Sequence, residues 1–298
     1  MKELLTAAGK QVPYVGLGTF PLQGRELAQI VTQAVEIGYM IIDTSDDYRG
    51  ETGIGMACRS LQDSHIIKRE ELFLQTKISR NGSYKDEPLL AVYFNKYSNF
   101  VKRHSVKEVV KEKVGISLRE LKTDYLDSLL IHLPYTDYYE DIWEVMVELK
   151  KQGVVRYIGV SNFHIEHIEK LERSGVKPDI NQIYISPIGI KQEMVEYAKS
   201  SGIQLMSYSP LLDIPRGRID ETSLKPIMNK YNKSLAQIVL RWNIERGVIP
   251  LPKTKNKERL KENIDVFDFS LTEEEVKTIS SLNKNFQYLI ESKMCPGI

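Results

Sequence analysis

The sequence of 298 residues has little cysteine and no long hydrophobic run. Its two cysteines, Cys58 and Cys295, lie far apart, so neither a disulfide framework nor a cysteine-based metal cluster is expected. No stretch reaches the roughly 18 apolar residues of a membrane-spanning helix, and the first residues lack the charged-then-apolar order of a signal peptide. These absences predict a cytoplasmic protein with reduced thiols and no membrane partner.

An excess of one charge is also absent. The chain has 41 Lys and Arg against 40 Asp and Glu, a formal net charge of +1, which gives no electrostatic reason to expect nucleic acid as a partner. With 42% hydrophobic residues, the composition is that of an ordinary globular protein. No linker or low-complexity tract interrupts the chain, so residues 1–298 are expected to form one domain.

What recurs along the chain is an alternation of short apolar runs with longer segments of helical apolar spacing. In one such segment, Ile142, Val145, Met146 and Leu149 fall on a single stripe, as in a helix packed on a sheet. Eight repeats of this unit predict an α/β fold, a parallel (β/α)8 TIM barrel, with an N-terminal β-hairpin before Gly16 and long loops at the C-terminal mouth. The predicted strands are residues 14–18, 39–43, 72–77, 126–132, 155–160, 179–183, 203–208 and 247–251.

An open doubly wound sheet is the rival fold, and it predicts a G-x-G-x-x-G fingerprint after its first strand. The segments GLGTFP and GIGMAC both contain Gly-x-Gly, but Pro21 and Cys58 occupy the position of the third glycine. These glycines are therefore interpreted as turn or packing glycines, and the barrel is favoured.

Polar side chains occur where the predicted strands end, which in a barrel is one shared mouth. The first of them is Asp43 in GYMIIDTSDDY, followed by Tyr48. Taken singly, each of these residues has an ordinary reading as a solvated cap or a packing residue. Taken together, they place an acid, an amine, a phenol and an imidazole around one pocket. They are Asp43, Tyr48, Lys77, His132, Ser161, Asn162, Gln182, Tyr208 and Lys253.

The quartet Asp43, Tyr48, Lys77 and His132 suits the protonation of a carbonyl oxygen. A free tyrosine titrates near pH ~10 and is a weak acid at neutrality. A lysine ammonium about 4 Å away favours a phenolate by roughly 4 kcal/mol at an effective dielectric constant of ~20, partly offset by desolvation. Asp43 is expected to hold Lys77 as a counter-ion, and a neutral His132 to donate a hydrogen bond that orients the carbonyl oxygen.

The segment from Lys253 to Asn263 has the pattern of a helix start, with Thr254 or Asn256 as the cap. Lys253, Lys255, Lys257 and Arg259 put four cations near that helix N-terminus, where the macrodipole favours anions. The segment is either a solvated basic turn or a site completed by a bound phosphate.

From end to end the chain resembles the aldo-keto reductase superfamily. The motifs GLGTF, IIDTSDDYRGE, LFLQTK, LDSLLIHLP, VRYIGVSNF, NQIY, SYSPL and IPLPKTKNKERLKEN appear in family order. The resemblance implies reduction of a small-molecule aldehyde or ketone by NADPH, or oxidation of an alcohol by NADP+, without a metal.

The resemblance also implies roles for individual residues. Tyr48 is the expected proton donor, Lys77 and Asp43 its activating pair, and His132 the residue that orients the substrate. The remaining positions are expected to bind the cofactor. They are Ser161, Asn162 and Gln182 at the nicotinamide carboxamide, Tyr208 beneath the ring, Thr19 at the cofactor edge, Ser209 and Leu211 along the pyrophosphate, Lys253, Thr254 and Arg259 at the 2′-phosphate, and Glu262 and Asn263 near the adenine.

Several positions depart from the family pattern and leave the substrate open. Arg49 stands where the family often has glycine. Leu133 replaces a common tryptophan after the histidine, and Phe20 and Ser79 stand where tryptophan often lines the pocket. The segment 80–105, with five aromatic residues, is either a lid or an oligomer-packing helix, and the C-terminal tail is expected to fold over the mouth. A monomer or weak homo-oligomer is expected.

Three other interpretations fit part of the sequence. His164 and His167 have the spacing of a metal pair, but no third ligand is apparent, so a helix surface is expected. A Schiff-base enzyme that uses Lys77 is disfavoured, because a lysine beside Asp43 stays charged and is a poor nucleophile. A catalytically minor NADPH-binding regulatory subunit of the same fold is the alternative function, against which the complete quartet argues.

Overall fold

The computed structural model describes residues 6–7, 10–11, 15–79, 105–134 and 139–288. Two short strands, β1 (Thr6–Ala7) and β2 (Lys10–Gln11), pair antiparallel and form the hairpin predicted before Gly16. The segment 80–105 is predicted to be either a lid or an oligomer-packing helix. Apart from residue 105, it lies outside the described residues. The C-terminal tail after residue 288 lies outside them too.

Eight parallel strands form the barrel, and each predicted strand is confirmed to within two residues. They pair in chain order, and the backbone N–H of Gly18 donates to the carbonyl of Pro252 at 3.0 Å across the seam between the first and last strands. The strands are β3 (Gly16–Gly18), β4 (Ile41–Asp43), β5 (Phe73–Ile78), β6 (Leu126–Ile131), β7 (Val155–Ser161), β8 (Ile180–Tyr184), β9 (Gln204–Tyr208) and β10 (Val248–Leu251).

Helices cover the outside of the barrel. Within the described ranges, no helix is both long and apolar enough to cross a bilayer. Two 3₁₀ turns, Asp46–Tyr48 and Arg69–Glu71, precede α2 and β5 respectively. The helices are α1 (Gly24–Ile37), α2 (Glu51–Asp63), α3 (Val106–Leu121), α4 (Tyr139–Lys151), α5 (Ile165–Glu172), α6 (Gln192–Ser201), α7 (Glu221–Tyr231), α8 (Leu235–Glu245), α9 (Lys257–Ile264) and α10 (Glu273–Ser280).

Apolar side chains fill both the layer between strands and helices and the inside of the barrel. The stripe predicted on α4 is buried in the outer layer. A second cluster packs apart from it, with Phe73, Leu130 and Met206 contributed by three different strands. In such folds, side chains that point inward fill the interior of the barrel. The polar side chains at the ends of the strands therefore lie at its mouth.

The Gly-x-Gly segments are packing sites, as predicted. A Cβ at Gly18 would lie 2.9 Å from the carbonyl oxygen of Leu251, so glycine allows β3 to close against β10. A Cβ at Gly55 would lie 2.0 Å from the carbonyl oxygen of Glu120, so glycine lets α2 pack directly on the end of α3.

Gly55→Ala is expected to destabilise the protein by about 1–3 kcal/mol, because α2 must move away from the backbone of α3. Gly115→Ala in the middle of α3 is the matched control. Its Cβ would meet only the flexible Arg119 side chain at 3.6 Å, and the gain in helix propensity is about 1 kcal/mol. Urea unfolding measures both. Equal effects of the two substitutions would contradict the packing role of Gly55.

Candidate active site

The barrel mouth brings four ionisable side chains of the sequence analysis together. Asp43 is the last residue of β4, Lys77 lies in β5, and His132 directly follows β6. Tyr48 ends the 3₁₀ turn that follows β4. Contacts between neighbouring members join all four into one cluster.

Asp43 and Lys77 form a buried ion pair. Lys77 is 1% exposed, and its Nζ lies 2.7 and 2.9 Å from the two carboxylate oxygens of Asp43. The same ammonium donates to the carbonyl oxygen of Thr44 at 2.7 Å. Because these three bonds use the three donors of an ammonium group, Lys77 is held as a cation and is a poor Schiff-base nucleophile.

Two glutamine amides complete the shell of Asp43. Gln182 donates to Asp43 Oδ1 at 2.8 Å, and so does Gln75, which the sequence analysis missed. Strand periodicity could have identified Gln75 as part of the site, because it is two residues before Lys77 and lies on the same face of β5. The Thr19 hydroxyl donates to the backbone carbonyl of Asp43 at 2.8 Å.

Tyr48 lies between Lys77 and His132. The Lys77 ammonium is 5.2 Å from the centroid of the Tyr48 ring, and the Tyr48 hydroxyl is 3.4 Å from His132 Nε2. Burial, followed by the charge of Lys77, lowers the pKa of His132 to about 3. The imidazole is therefore neutral at physiological pH.

The turn that carries Tyr48 is held from outside the barrel. Lys113 of α3 donates to Asp46 Oδ2 at 2.6 Å and to the carbonyl oxygen of Ser79 at 2.7 Å. Asp46 also accepts the backbone N–H of Ser79 at 3.0 Å. Lys113 was not predicted from the sequence, because no local pattern marks a single lysine in a helix of mixed charge as part of a site.

The residues expected at the nicotinamide form a continuous network beside this cluster. Ser161 donates to the carbonyl oxygen of Gln182 at 2.8 Å, and the Asn162 amide donates to that of His132 at 3.2 Å. The Tyr208 hydroxyl donates to Asn162 Oδ1 at 2.9 Å. Asn162 has a φ of 63°, a left-handed conformation that asparagine tolerates.

The residues expected at the far end of the cofactor follow β9 and β10. Lys253 and Arg259 are exposed, whereas Thr254 is buried and accepts the backbone N–H of Asn256 at 3.1 Å. Asn256, one of the two predicted caps, accepts the N–H of Arg259 at 2.9 Å and begins α9.

Other cofactor positions vary in their accessibility. Ser209 and Leu211 come directly after β9 and are partly exposed. Glu262 accepts the hydroxyl of Ser234, and Asn263 is only 4% exposed. The two cations beside the first turn of α9 fit a phosphate group, because the helix dipole and both side chains favour an anion there.

A cavity of about 490 Å³ adjoins the mouth next to Asn162 and Tyr208. Phe286 lines it from the C-terminal segment. The guanidinium of Arg218 lies 4.5 Å from the Phe286 ring centroid and 3.4 Å from Asp213. The cavity therefore extends the mouth on the side of the C-terminal segment.

The helix-surface prediction for His167 is wrong. His167 is fully buried, and its Nδ1 accepts the backbone N–H of His164 at the start of α5, 3.1 Å away. Tyr139 and Phe163 pack edge-on against its ring. The imidazole can be enclosed in this way because its neutral form is largely apolar. Within the described ranges, no three His, Cys, Asp or Glu side chains are placed to hold a metal ion.

Three residues after Tyr48, the carboxyl group of Glu51 is buried at the start of α2, with 2% of the residue exposed. Thr76 and Ser117 donate to its two oxygens at 2.7 and 3.1 Å. Burial nevertheless raises the pKa of Glu51 to about 7, because desolvation outweighs these two hydrogen bonds.

Comparison with known proteins gives matches over nearly the whole chain. A family model described as "Aldo/keto reductase family" matches residues 14–284. A glyoxal reductase of Bacillus subtilis is 37% identical over 93% of this chain and 91% of its own length. The methylglyoxal reductase DkgA of Escherichia coli is 33% identical over 93% and 91%. The structure of Bombyx mori aldo-keto reductase AKR2E4 in complex with NADP superposes with a TM-score of 0.82, at 33% identity, covering 97% of this chain and 94% of that one.

Glu51→Gln is expected to raise stability more at pH 8 than at pH 5. A carboxyl group whose folded-state pKa lies above its unfolded value loses stability as the pH rises between the two, here from about 4.5 to 7. At about 1.4 kcal/mol per pKa unit, the stabilisation by Glu51→Gln is expected to be about 3 kcal/mol larger at pH 8 than at pH 5. Urea unfolding at both pH values measures it. Glu112→Gln on the exposed face of α3 is the control, and equal pH profiles for the two variants would refute the assignment.

Proposed function

Since the chain belongs to the Aldo/keto reductase family, we propose that it reduces aldehydes or ketones with NADPH, or oxidises the corresponding alcohols with NADP+. The observation that carries this proposal is the buried Asp43–Lys77 ion pair beside the ring of Tyr48. NADPH, when bound, supplies the hydride. The proton for the carbonyl oxygen comes from the protein.

Tyr48 is the proposed general acid and base. As its proton passes to the substrate, negative charge develops on the phenol oxygen, and the nearby ammonium of Lys77 stabilises that charge. Asp43 keeps this cation in place, and Gln75 and Gln182 fix the carboxylate in turn. His132 takes part as an uncharged ring that contacts the Tyr48 hydroxyl.

The cofactor is proposed to lie across the mouth from Asn162 to Arg259. Ser161, Asn162 and Gln182 would hold the nicotinamide carboxamide and Tyr208 would stack beneath the ring, with Thr19 at the edge. Lys253, Thr254 and Arg259 would hold the 2′-phosphate, which NADPH has and NADH lacks. Ser209 and Leu211 would follow the pyrophosphate, and Glu262 and Asn263 the adenine.

Small aldehydes, including dicarbonyls, are the proposed substrate class. This rests on the similarity to proteins named glyoxal reductase and methylglyoxal reductase. A panel of glyoxal, methylglyoxal and simple aldehydes tests it, followed through the near-ultraviolet absorbance of the reduced nicotinamide. Reduction of other carbonyl compounds with no activity on small aldehydes would contradict the substrate class.

Tyr48→Phe is expected to lower turnover by about 10²-fold or more, because the proton donor is lost while the ring is kept. NADPH affinity, measured by fluorescence titration, is expected to stay within about twofold. Unchanged turnover would refute the role of Tyr48. A wild-type protein that binds NADPH but reduces no carbonyl compound would instead favour the regulatory alternative.

The Lys253→Ala, Arg259→Ala double variant is expected to weaken NADPH binding far more than NADH binding. Two charge-assisted contacts to one phosphate account for about 3 kcal/mol or more, which is about 10²-fold in affinity. The control is Lys261→Ala, an exposed lysine of the same helix outside the proposed site. Equal losses for the two cofactors would remove the 2′-phosphate assignment.

A further inference from the structure

A chain of hydroxyl groups lies behind His132, on the side of the ring away from Tyr48. Ser79 Oγ is 2.7 Å from His132 Nδ1 and 3.0 Å from Ser45 Oγ. Ser45 Oγ is in turn 2.6 Å from Asp47 Oδ1. Both serines are buried, at 4% and 0% exposure, and the Asp47 side chain is 8% exposed.

The position of the Ser45 hydrogen follows from its partners. A carboxylate only accepts hydrogen bonds, so the 2.6 Å contact to Asp47 uses the one hydrogen that Ser45 has. The other acceptors near Ser45 Oγ, Asp46 Oδ1 and the carbonyl oxygen of Lys77, are farther away at 3.5 Å. Towards Ser79 and His132, Ser45 Oγ is therefore an acceptor.

Two arrangements of the remaining hydrogens can be compared. If Ser79 donates to His132 Nδ1, the 3.0 Å contact between Ser79 and Ser45 and the 3.3 Å contact between Ser45 and Nδ1 both join two acceptors. If His132 Nδ1–H donates to Ser79 and Ser79 donates to Ser45, the 2.7 and 3.0 Å contacts each have a hydrogen, and the longer 3.3 Å contact can share the same Nδ1–H. The negative charge of Asp47, with Oδ1 3.7 Å from Nδ1, also favours a hydrogen on Nδ1.

We propose that Ser79, Ser45 and ionised Asp47 form a relay that holds neutral His132 as its Nδ1–H tautomer, so that Nε2 accepts the hydrogen of Tyr48. All three are positioning residues, since they act through the imidazole. This replaces the sequence expectation that His132 donates to the carbonyl oxygen. It also gives Ser79, which departs from the family pattern, a defined role.

The consequence for catalysis rests on the proposed function. In alcohol oxidation, Tyr48 takes the hydroxyl proton of the substrate as its own proton passes to His132 Nε2. The Nδ1 proton passes to Ser79, the Ser79 proton to Ser45 and the Ser45 proton to Asp47, which ends as a carboxylic acid. Carbonyl reduction runs the same transfers in reverse, and it starts with a proton on Asp47 and the ring hydrogen on Nε2.

A relay of this kind suits a histidine whose ring does not become an imidazolium near neutral pH. Burial and Lys77 lower the pKa of His132 to about 3, so a stable imidazolium is not available near neutral pH. Because the ring releases a proton from Nδ1 as it receives one at Nε2, its charge does not change. Once all the transfers are complete, Asp47 at the outer end is the one member of the chain whose net charge has changed.

The tautomer can be read by two-bond ¹H–¹⁵N correlation spectra of protein with ¹⁵N-labelled histidine, near neutral pH. His132→Gln identifies the His132 signals among the five histidines. The expected wild-type pattern has a protonated Nδ1 and an unprotonated Nε2. A protonated Nε2 in the wild-type protein would overturn the proposal.

Ser45→Ala is expected to reverse the tautomer. Without Ser45, the Ser79 hydroxyl loses its acceptor and donates to His132 Nδ1, which moves the ring hydrogen to Nε2. Asp46→Asn is the matched control, because it removes a neighbouring negative charge and leaves the hydroxyl chain intact. A Ser45→Ala protein that keeps Nδ1–H, or a reversal in Asp46→Asn, would show that the chain does not set the tautomer.

Kinetics test the relay itself. Ser79→Ala is expected to lower kcat by roughly tenfold with little change in KM, less than the loss of a direct proton donor. Ser79→Thr, which keeps a hydroxyl, is expected to restore most of it, and an unchanged kcat in Ser79→Ala would refute the relay. The spectra need no turnover, so the expected tautomers in a protein without reductase activity would support the positioning chain and refute only the proposed function.

Discussion

The ion pair between Asp43 and Lys77 is the constraint on which the mouth of the barrel depends. An ammonium that is 1% exposed loses most of its hydration, a cost of several kcal/mol. It is offset only if every donor of Lys77 and the oxygens of Asp43 are bonded, as they are here. Removing either partner would leave a buried charge, which typically costs about 3–5 kcal/mol.

This requirement organises several strands at once. Gln75 from β5 and Gln182 from β8 donate to the same oxygen of Asp43, and Thr19 donates to its backbone from the end of β3. Asp43 therefore joins β3, β4, β5 and β8 through its carboxylate and its backbone carbonyl, and these contacts fix the base of the mouth. Such pre-organisation keeps a cation beside Tyr48, where negative charge would develop in the proposed reaction.

The barrel and the polar strand ends were predictable, because both follow from local periodicity and from the rule that parallel strands end at one mouth. The surroundings of Tyr48 were not. Lys113 reaches Asp46 from a distant helix, and Ser45 meets Ser79 across two loops, and sequence spacing encodes neither contact. His167 was misplaced for a related reason, since side-chain polarity alone does not tell a solvated imidazole from an enclosed neutral one.

Asp43 and Asp47, the two carboxylates around Tyr48, differ in whether their hydrogen-bond partners allow them to take up a proton. Asp43 is neutralised by a buried lysine, and moving a proton onto it would break that pair and leave the ammonium unbalanced. Asp47 is linked through two serine hydroxyls to an uncharged ring, so a proton can reach it without separating a buried ion pair. The proposed relay needs both kinds of carboxylate, one that holds a charge in place and one that can take up a proton. In the structure, the Asp43–Lys77 pair lies beside the ring of Tyr48, and the hydroxyl chain that leads to Asp47 lies behind His132.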